Sequence, residues 1–281
     1  MSTLKLPSSG HFPGVTVKLP SNLRLEQLLS YRPFNNWLSA LSKSLALQHH
    51  PQHPFHSEPY NLREIEIQSV DFFSEKRLGF LKLRASITNE KNESLPGSVF
   101  MRGGSVAMLI VLSPANTSAG DDYALMTVQP RIAAGSLSFV ELPAGMIDDA
   151  GTFTGAAAKE IKEETGLDIK EDELIDMTQL TLKEVTSELD REGGVEAHLQ
   201  EGMYPSPGGC DEFMPIYLAR KKMAKEEMEI LKGKLTGLRD HGEKITLKLV
   251  KLKDVWKVGV RDGKTLAAIA LHDGLVRAGK L

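Results

Sequence analysis

A single cysteine, Cys210, in 281 residues excludes an internal disulfide and points to a reducing compartment. Long hydrophobic runs are missing too. The longest, Val106–Leu112, is too short to span a bilayer and reads as a buried strand. No apolar segment near the amino terminus resembles a secretory signal. The first acidic residue is Glu26, after Lys5, Lys18 and Arg24. That stretch suits a weak organelle leader or an ordinary flexible extension, and the thin arginine content favours the extension. Positive charge is not in excess. The formal net charge of −3 argues against a nucleic-acid partner, whose footprint is basic. Neither a nucleic acid nor a membrane is expected as a partner, and the expected location is cytoplasmic. What the chain does have is hydrophobic content, 41 %, enough for the core of one large domain or two small ones.

Carboxylates are concentrated in one place. Glu160, Glu163 and Glu164 come after the sharp turn Glu141-Leu142-Pro143-Ala144-Gly145. Residues four apart lie one above the other on a helix, so Glu160 and Glu164 share a face that Glu163 borders. Ala156, Ala157, Ala158 and Ile161 form a small apolar stripe beside them. Thr152 or Thr154 can cap the helix start, and Gly166 can close its end. Carboxylates so crowded repel one another unless a hard cation joins them, and Mg²⁺ with oxygen ligands is the simplest candidate, Mn²⁺ the substitute. A solvated helix face is the alternative that the surrounding turn and Gly-hydrophobic pair disfavour.

With those flanks, the segment resembles the Nudix hydrolase box: Gly, five residues, Glu, seven residues, Arg-Glu-hydrophobic-x-Glu-Glu-x-Gly-hydrophobic. Gly145, Glu160, Ile161, Glu163, Glu164, Gly166 and Leu167 fall at its spacings. Two positions depart: Gly151 replaces the box Glu and Lys159 replaces its Arg, a pair thought to brace the loop onto the helix. Asp148 or Asp149 is left as a partner for Lys159. Glu-Leu-Pro-Ala-Gly at 141–145 resembles the nucleoside diphosphate sugar branch, which includes ADP-ribose and ADP-sugar diphosphatases. Tyr204–Glu212 resembles a loop that supplies those enzymes with a general base, and Glu212 is the matching residue. Val128–Arg131 resembles a strand bearing a phosphate-contacting Arg. Phe34–Leu38, Gly237–Glu243 and Trp256 are similar to the plant-type ADP-sugar diphosphatases. The resemblance covers roughly residues 30 to 281.

The resemblance implies an α/β fold, a Nudix α/β/α sandwich with a mixed sheet, preceded by an N-terminal antiparallel β-meander. The expected layout is a flexible extension with a short amphipathic helix over 1–58, a meander over 59–101 that would form a homodimer, and a Nudix domain over 102–281. Within the extension, Pro51 and Pro54 interrupt His49, His50, His53 and His56, which read as linker and not as a metal face. Trp37, Leu38, Leu41 and Leu45 would share one face of the short helix. Alternation at 62–67, a run at 78–87 and Val99–Met101 predict the meander strands. Further strands are expected at 106–112, 123–128, 138–142, 213–220 and 245–252, with helices at 223–231 and 264–276. The acidic stretch 182–201 is an insert, read as a mobile surface loop.

The chemistry implied by the resemblance is Mg²⁺-dependent cleavage of an ADP-sugar, ADP-ribose or ADP-glucose, into AMP and a sugar phosphate. Glu160, Glu164 and the Ala144 carbonyl would hold the metal, with Glu163 ligating or supporting. Glu212 would accept the proton of the attacking water. Arg131 and Arg102 would bind phosphate, as would Gly145, Ser206, Gly208 and Gly209 around the substrate. Cys210 sits in the same loop, but no His lies near it to make it a nucleophile. The rival reading is a nucleotide-sugar sensor that binds without cleaving, suggested by Gly151 and Lys159.

Overall fold

The computed structural model describes residues 1–75, 77–115, 121–147, 152–189, 198–238 and 242–281, with backbone alone at 186–189. The chain divides into two compact units. The first takes the described residues of Met1–Gly104, Gly194–Gln200 and Ser206–Glu212; the second takes those of Ser105–Gly193, Glu201–Pro205 and Phe213–Leu281.

The first unit contains β1 (Ser2–Lys5), β2 (Thr16–Leu19), α1 (Leu25–Ser30), α2 (Arg32–Leu47), β3 (Asn61–Phe72), β4 (Leu78–Thr88), β5 (Ser94–Leu95) and β6 (Ser98–Met101). Among the described residues these strands form a six-stranded sheet in the order β1-β2-β3-β4, with β5 and β6 both on β4. Strict alternation builds β4. Leu81, Leu83, Ala85 and Ile87 are buried, whereas Lys82, Arg84 and Ser86 are exposed. Helix α2 starts with Pro33 in its first turn, buries Phe34 and Leu38, and packs Trp37, Leu41 and Leu45 against the same core.

Two expectations change here. The stretch 1–58 is not a flexible extension: Leu6, Val17, Leu19, Leu23 and Leu28 are core residues of this unit. The strand Thr16–Leu19 is short and flanked by polar turns, which hid its two buried side chains from a periodicity reading. The expected break between 58 and 59 is likewise absent, since both sides belong to one unit that ends at Gly104. The strands of 59–101 pair antiparallel as expected, and β2 joins them in parallel on β3. The histidines of 49–56 lie in successive turns and join no metal-holding group among the described residues.

The second unit contains β7 (Ser105–Pro114), β8 (Tyr123–Arg131), β9 (Ser136–Glu141), β10 (Ala144–Met146), α3 (Phe153–Thr165), β11 (Ile175–Asp176), α4 (Met177–Leu189), β12 (Ile216–Met223), α5 (Lys225–Leu231), β13 (Leu235–Thr236), β14 (Ile245–Lys251), α6 (Val255–Val258) and α7 (Gly263–Arg277). Among the described residues its sheet has eight strands in the order β11-β12-β7-β8-β14-β13, with β10 on β7 and β9 on β8. Only the β7–β12 pairing is parallel. Strand β7 is covered on both faces, which explains its unbroken apolar run. Val106, Met108, Ile110 and Leu112 pack with Ala157 and Ile161 of α3 and with Met228 and Leu231 of α5. Ala107, Leu109 and Val111 pack with Met177 of α4 and with Ala268 and Leu275 of α7. The result is the expected α/β/α sandwich on a mixed sheet. The strand expected at 213–220 begins later, at Ile216. The expected loop at 182–201 begins as helix α4, which reaches Leu189; residues 190–197 lie outside the described residues.

Candidate active site

Helix α3 is fixed at both ends by short-range chemistry. Thr152 is the N-cap, its hydroxyl accepting from the Gly155 N–H at 3.0 Å. Thr152 and Thr154 hydroxyls also donate to one Glu171 oxygen, at 3.1 and 3.0 Å, which places a carboxylate at the helix start. Gly166 ends the helix at φ 74° and its N–H donates to the Lys162 carbonyl. Asp148, Asp149 and Gly151 lie outside the described residues, so the expected brace to Lys159 does too.

On this helix Glu164 is buried, 5 % exposed, and one of its oxygens accepts from the Ala144 N–H at 3.0 Å. Burial, then the charge of Glu160, pushes its carboxyl up to about 8; the Ala144 bond opposes that rise. Glu160 presses against the turn. A Cβ on Gly145 would lie 1.9 Å from the Glu160 carboxyl carbon and 2.2 and 2.3 Å from its oxygens. Gly145 is therefore needed for room. Its backbone does not itself require glycine, because Gly145 sits in strand β10 without a positive φ. Strand β10 pairs with β7, and the Pro143 carbonyl accepts from the Met108 N–H at 3.0 Å, so the turn is anchored to the central strand. Glu163 is half-buried on the same helix.

Arg131 is brought to this cluster by β8. Its Nε donates to Glu141 at 2.6 Å, with Arg131 41 % exposed and Glu141 3 %. The other Glu141 oxygen takes Lys264, which also reaches Asp262 at 3.0 Å. Asp262 caps α7 through Thr265 and accepts from the Leu142 N–H at 3.3 Å. Arg131, Glu141, Lys264 and Asp262 thus form a chain of alternating charge, buried beyond Arg131, that ends on the backbone of the Glu141–Gly145 turn. The charges of Arg131 and Glu141 both reach Glu164.

The loop residues belong to the first unit. Strand β6 carries them: the Phe100 N–H donates to Gly209 at 2.8 Å and the Asp211 N–H donates to Phe100 at 3.3 Å. The Asp211 carboxylate accepts from the N–H groups of Arg102, at 2.7 Å, and Gly103, at 3.2 Å. Burial raises its carboxyl, and those two N–H groups oppose the rise. Arg102 is half-buried, and its Nη1 lies 3.3 Å from Glu212, the expected base, whose side chain is 13 % exposed. Ser206 and Gly208 are exposed at the loop tip, and neither Gly208 nor Gly209 has a neighbour where a Cβ would be. The Cys210 thiol is pushed up by burial, which speaks against a nucleophile.

A NUDIX domain matches residues 103–268, more than half of the chain. The chain belongs to the Nudix hydrolase family. Nudix hydrolase 14, chloroplastic, of Arabidopsis thaliana is 38 % identical to this Nudix chain over 248 residues, covering 88 % of it and 71 % of the relative. A solved structure described as an ADP compounds hydrolase covers 79 % of this chain and 99 % of its own, with a TM-score of 0.45 and 14 % identity.

Members of this family generally use divalent cations, and the donor set in this Nudix domain suits one. Glu160 and Glu164 are close enough for the charge of one to raise the other. Among the described residues no three His, Cys, Asp or Glu side chains form a group that could hold a metal. Two such carboxylates leave the remaining positions of a divalent cation to other oxygens. The sequence reading missed Glu141, Lys264 and Asp262. Asp262 followed by Thr265 before an apolar run is a helix-start signal that could have flagged one of them.

Proposed function

We propose that this Nudix hydrolase cleaves the diphosphate of an ADP-sugar, ADP-ribose or ADP-glucose, giving AMP and a sugar phosphate. The observation that carries the proposal is the buried Glu164, held by the Ala144 N–H and raised by its neighbour Glu160. An acid buried beside a second acid gives up its proton when a cation takes the site. Glu160, Glu164 and the Ala144 carbonyl are the proposed ligands of Mg²⁺, or Mn²⁺, with Glu163 supporting or ligating. When bound, the cation neutralises diphosphate charge and makes a coordinated water more acidic.

The chain's own groups do the rest. Arg131, with Nε held by Glu141, offers its remaining N–H groups as a fixed fork to phosphate oxygens. Glu212 accepts the proton of the attacking water, and Arg102 beside it holds that side chain in place. Gly208 and Gly209 leave room for the substrate beside the exposed Ser206. The name of the Arabidopsis relative supports an organelle in place of the cytoplasm. A homodimer through the N-terminal sheet remains part of the proposal.

The test is incubation with Mg²⁺ and ADP-ribose, ADP-glucose or GDP-mannose, with AMP or GMP measured as product. AMP from an ADP-sugar supports the reading, and Glu212→Gln should then lower turnover by about 10²- to 10⁴-fold. Binding without any nucleotide release would make the chain a sensor, and unchanged turnover in Glu212→Gln would remove the proposed base.

A further inference from the structure

Gln129 is a buried polar side chain that the chemistry above leaves unused. It is 8 % exposed on strand β8, and its Nε2 is buried without a hydrogen-bond partner. A buried donor left unpaired is costly, and native folds keep few of them. Its position gives the reason to keep it. Side chains of a strand alternate between faces. On β8, Leu125 packs in the same core as Ala157 and Ile161 of α3. Thr127 and Gln129 follow Leu125 on that face, opposite Glu141 and Phe139 of β9. Two residues further on, past an irregularity in the β8–β9 register, comes Arg131, paired with Glu141. Gln129 therefore stands between the Thr127/Glu141 pair and the Arg131 fork, on the face that carries the box helix.

We infer that Gln129 is a substrate-binding residue whose Nε2 donates to a non-bridging oxygen of the diphosphate held by Arg131. The inference rests on the proposed hydrolase reading. A diphosphate offers acceptor oxygens only, so it satisfies this amide without asking anything in return. A neutral donor next to a fixed guanidinium adds a directed hydrogen bond without another positive charge beside Lys264 and Arg131. A charged acceptor makes such a bond stronger than one between neutral groups.

The experiment pairs binding with stability. Gln129→Leu keeps the volume and removes the donor; Gln129→Glu keeps the shape and turns the donor into an acceptor. Kd for ADP-ribose is measured by calorimetry in EDTA, KM and kcat with Mg²⁺, and the thermal midpoint of each free protein. Gln129→Leu should weaken ADP-ribose binding roughly 10- to 100-fold while the midpoint of the free protein holds or rises. Gln129→Glu should weaken binding at least as much. Unchanged Kd in Gln129→Leu would overturn the inference, because a water or nothing at all would then meet the amide. A midpoint lowered by several degrees would overturn it as well, by showing that the amide is satisfied inside the fold. Wild-type protein that binds ADP-ribose without cleaving it would sink the hydrolase reading and leave the Kd comparison to decide Gln129. Wild-type protein that does neither would sink both.

Discussion

Gly145→Ala separates the stability of this fold from its chemistry. The added Cβ would lie 1.9 Å from the Glu160 carboxyl carbon, where roughly 3.5 Å is the closest comfortable carbon contact. The carboxylate must then retreat by about 1.6 Å, more than a Mg²⁺–oxygen bond of about 2.1 Å tolerates. What moves is the tip of a half-buried side chain on a helix, not the backbone of the core. The unfolding midpoint should therefore change by no more than about 3 °C, which corresponds to roughly 1 kcal/mol in a domain of this size. Turnover should fall about 100-fold or more, because a displacement near 1 Å is enough for that. The Mg²⁺ concentration giving half-maximal rate should rise as well. The assay is AMP release from ADP-ribose across a Mg²⁺ titration, beside thermal unfolding in EDTA. Turnover within threefold of wild type at the same Mg²⁺ requirement would refute the reasoning. A large loss of stability would also refute it, since it would mean that Glu160 cannot move aside.

Lys264→Met leaves Glu141 and Asp262 buried without their shared cation. Breaking such a pair costs about 3–5 kcal/mol, so the unfolding midpoint should drop by roughly 6–20 °C, and a loss below about 1 kcal/mol would show the network to be dispensable. In metal-free protein, Glu164 stays protonated up to about 8 in the fold, against an ordinary value of 4.5. The folded state thus binds the extra proton, and stability falls as pH rises through that window, by on the order of 5 kcal/mol in all. The midpoint of Glu164→Gln in EDTA should therefore rise relative to that of wild type as pH goes from 5 to 9; a difference that moves in favour of wild type would reverse the sign.

The box was legible because its spacing is local. Glu160 and Glu164 four apart, Thr152 before them and Gly166 after them dictate a capped helix whatever the rest of the chain does. Strand β7 was legible for the same reason, as an apolar run that only burial on both faces explains. What stayed hidden depends on partners far away in sequence. Lys264 meets Glu141 across 123 positions, and a lone Lys after Asp262-Gly263 gives no sign of being buried. Gly145 read as a turn residue, yet its requirement comes from a side chain one helix away. Residues 16–19 looked like linker because a four-residue strand has too few alternations to show a period, and its parallel pairing with β3 follows from no local signal.

The loop that bears Glu212 has a consequence for how this protein can be divided. The family match starts at residue 103, so a gene fragment beginning there would carry every box residue and the loop itself. Yet Phe100, whose backbone grips Gly209 and Asp211, would be missing from it. The unit that is inherited and the unit that holds its shape are different stretches of chain. Cutting at the inherited border would yield a protein with its proposed cation ligands in place and its proposed base unmoored.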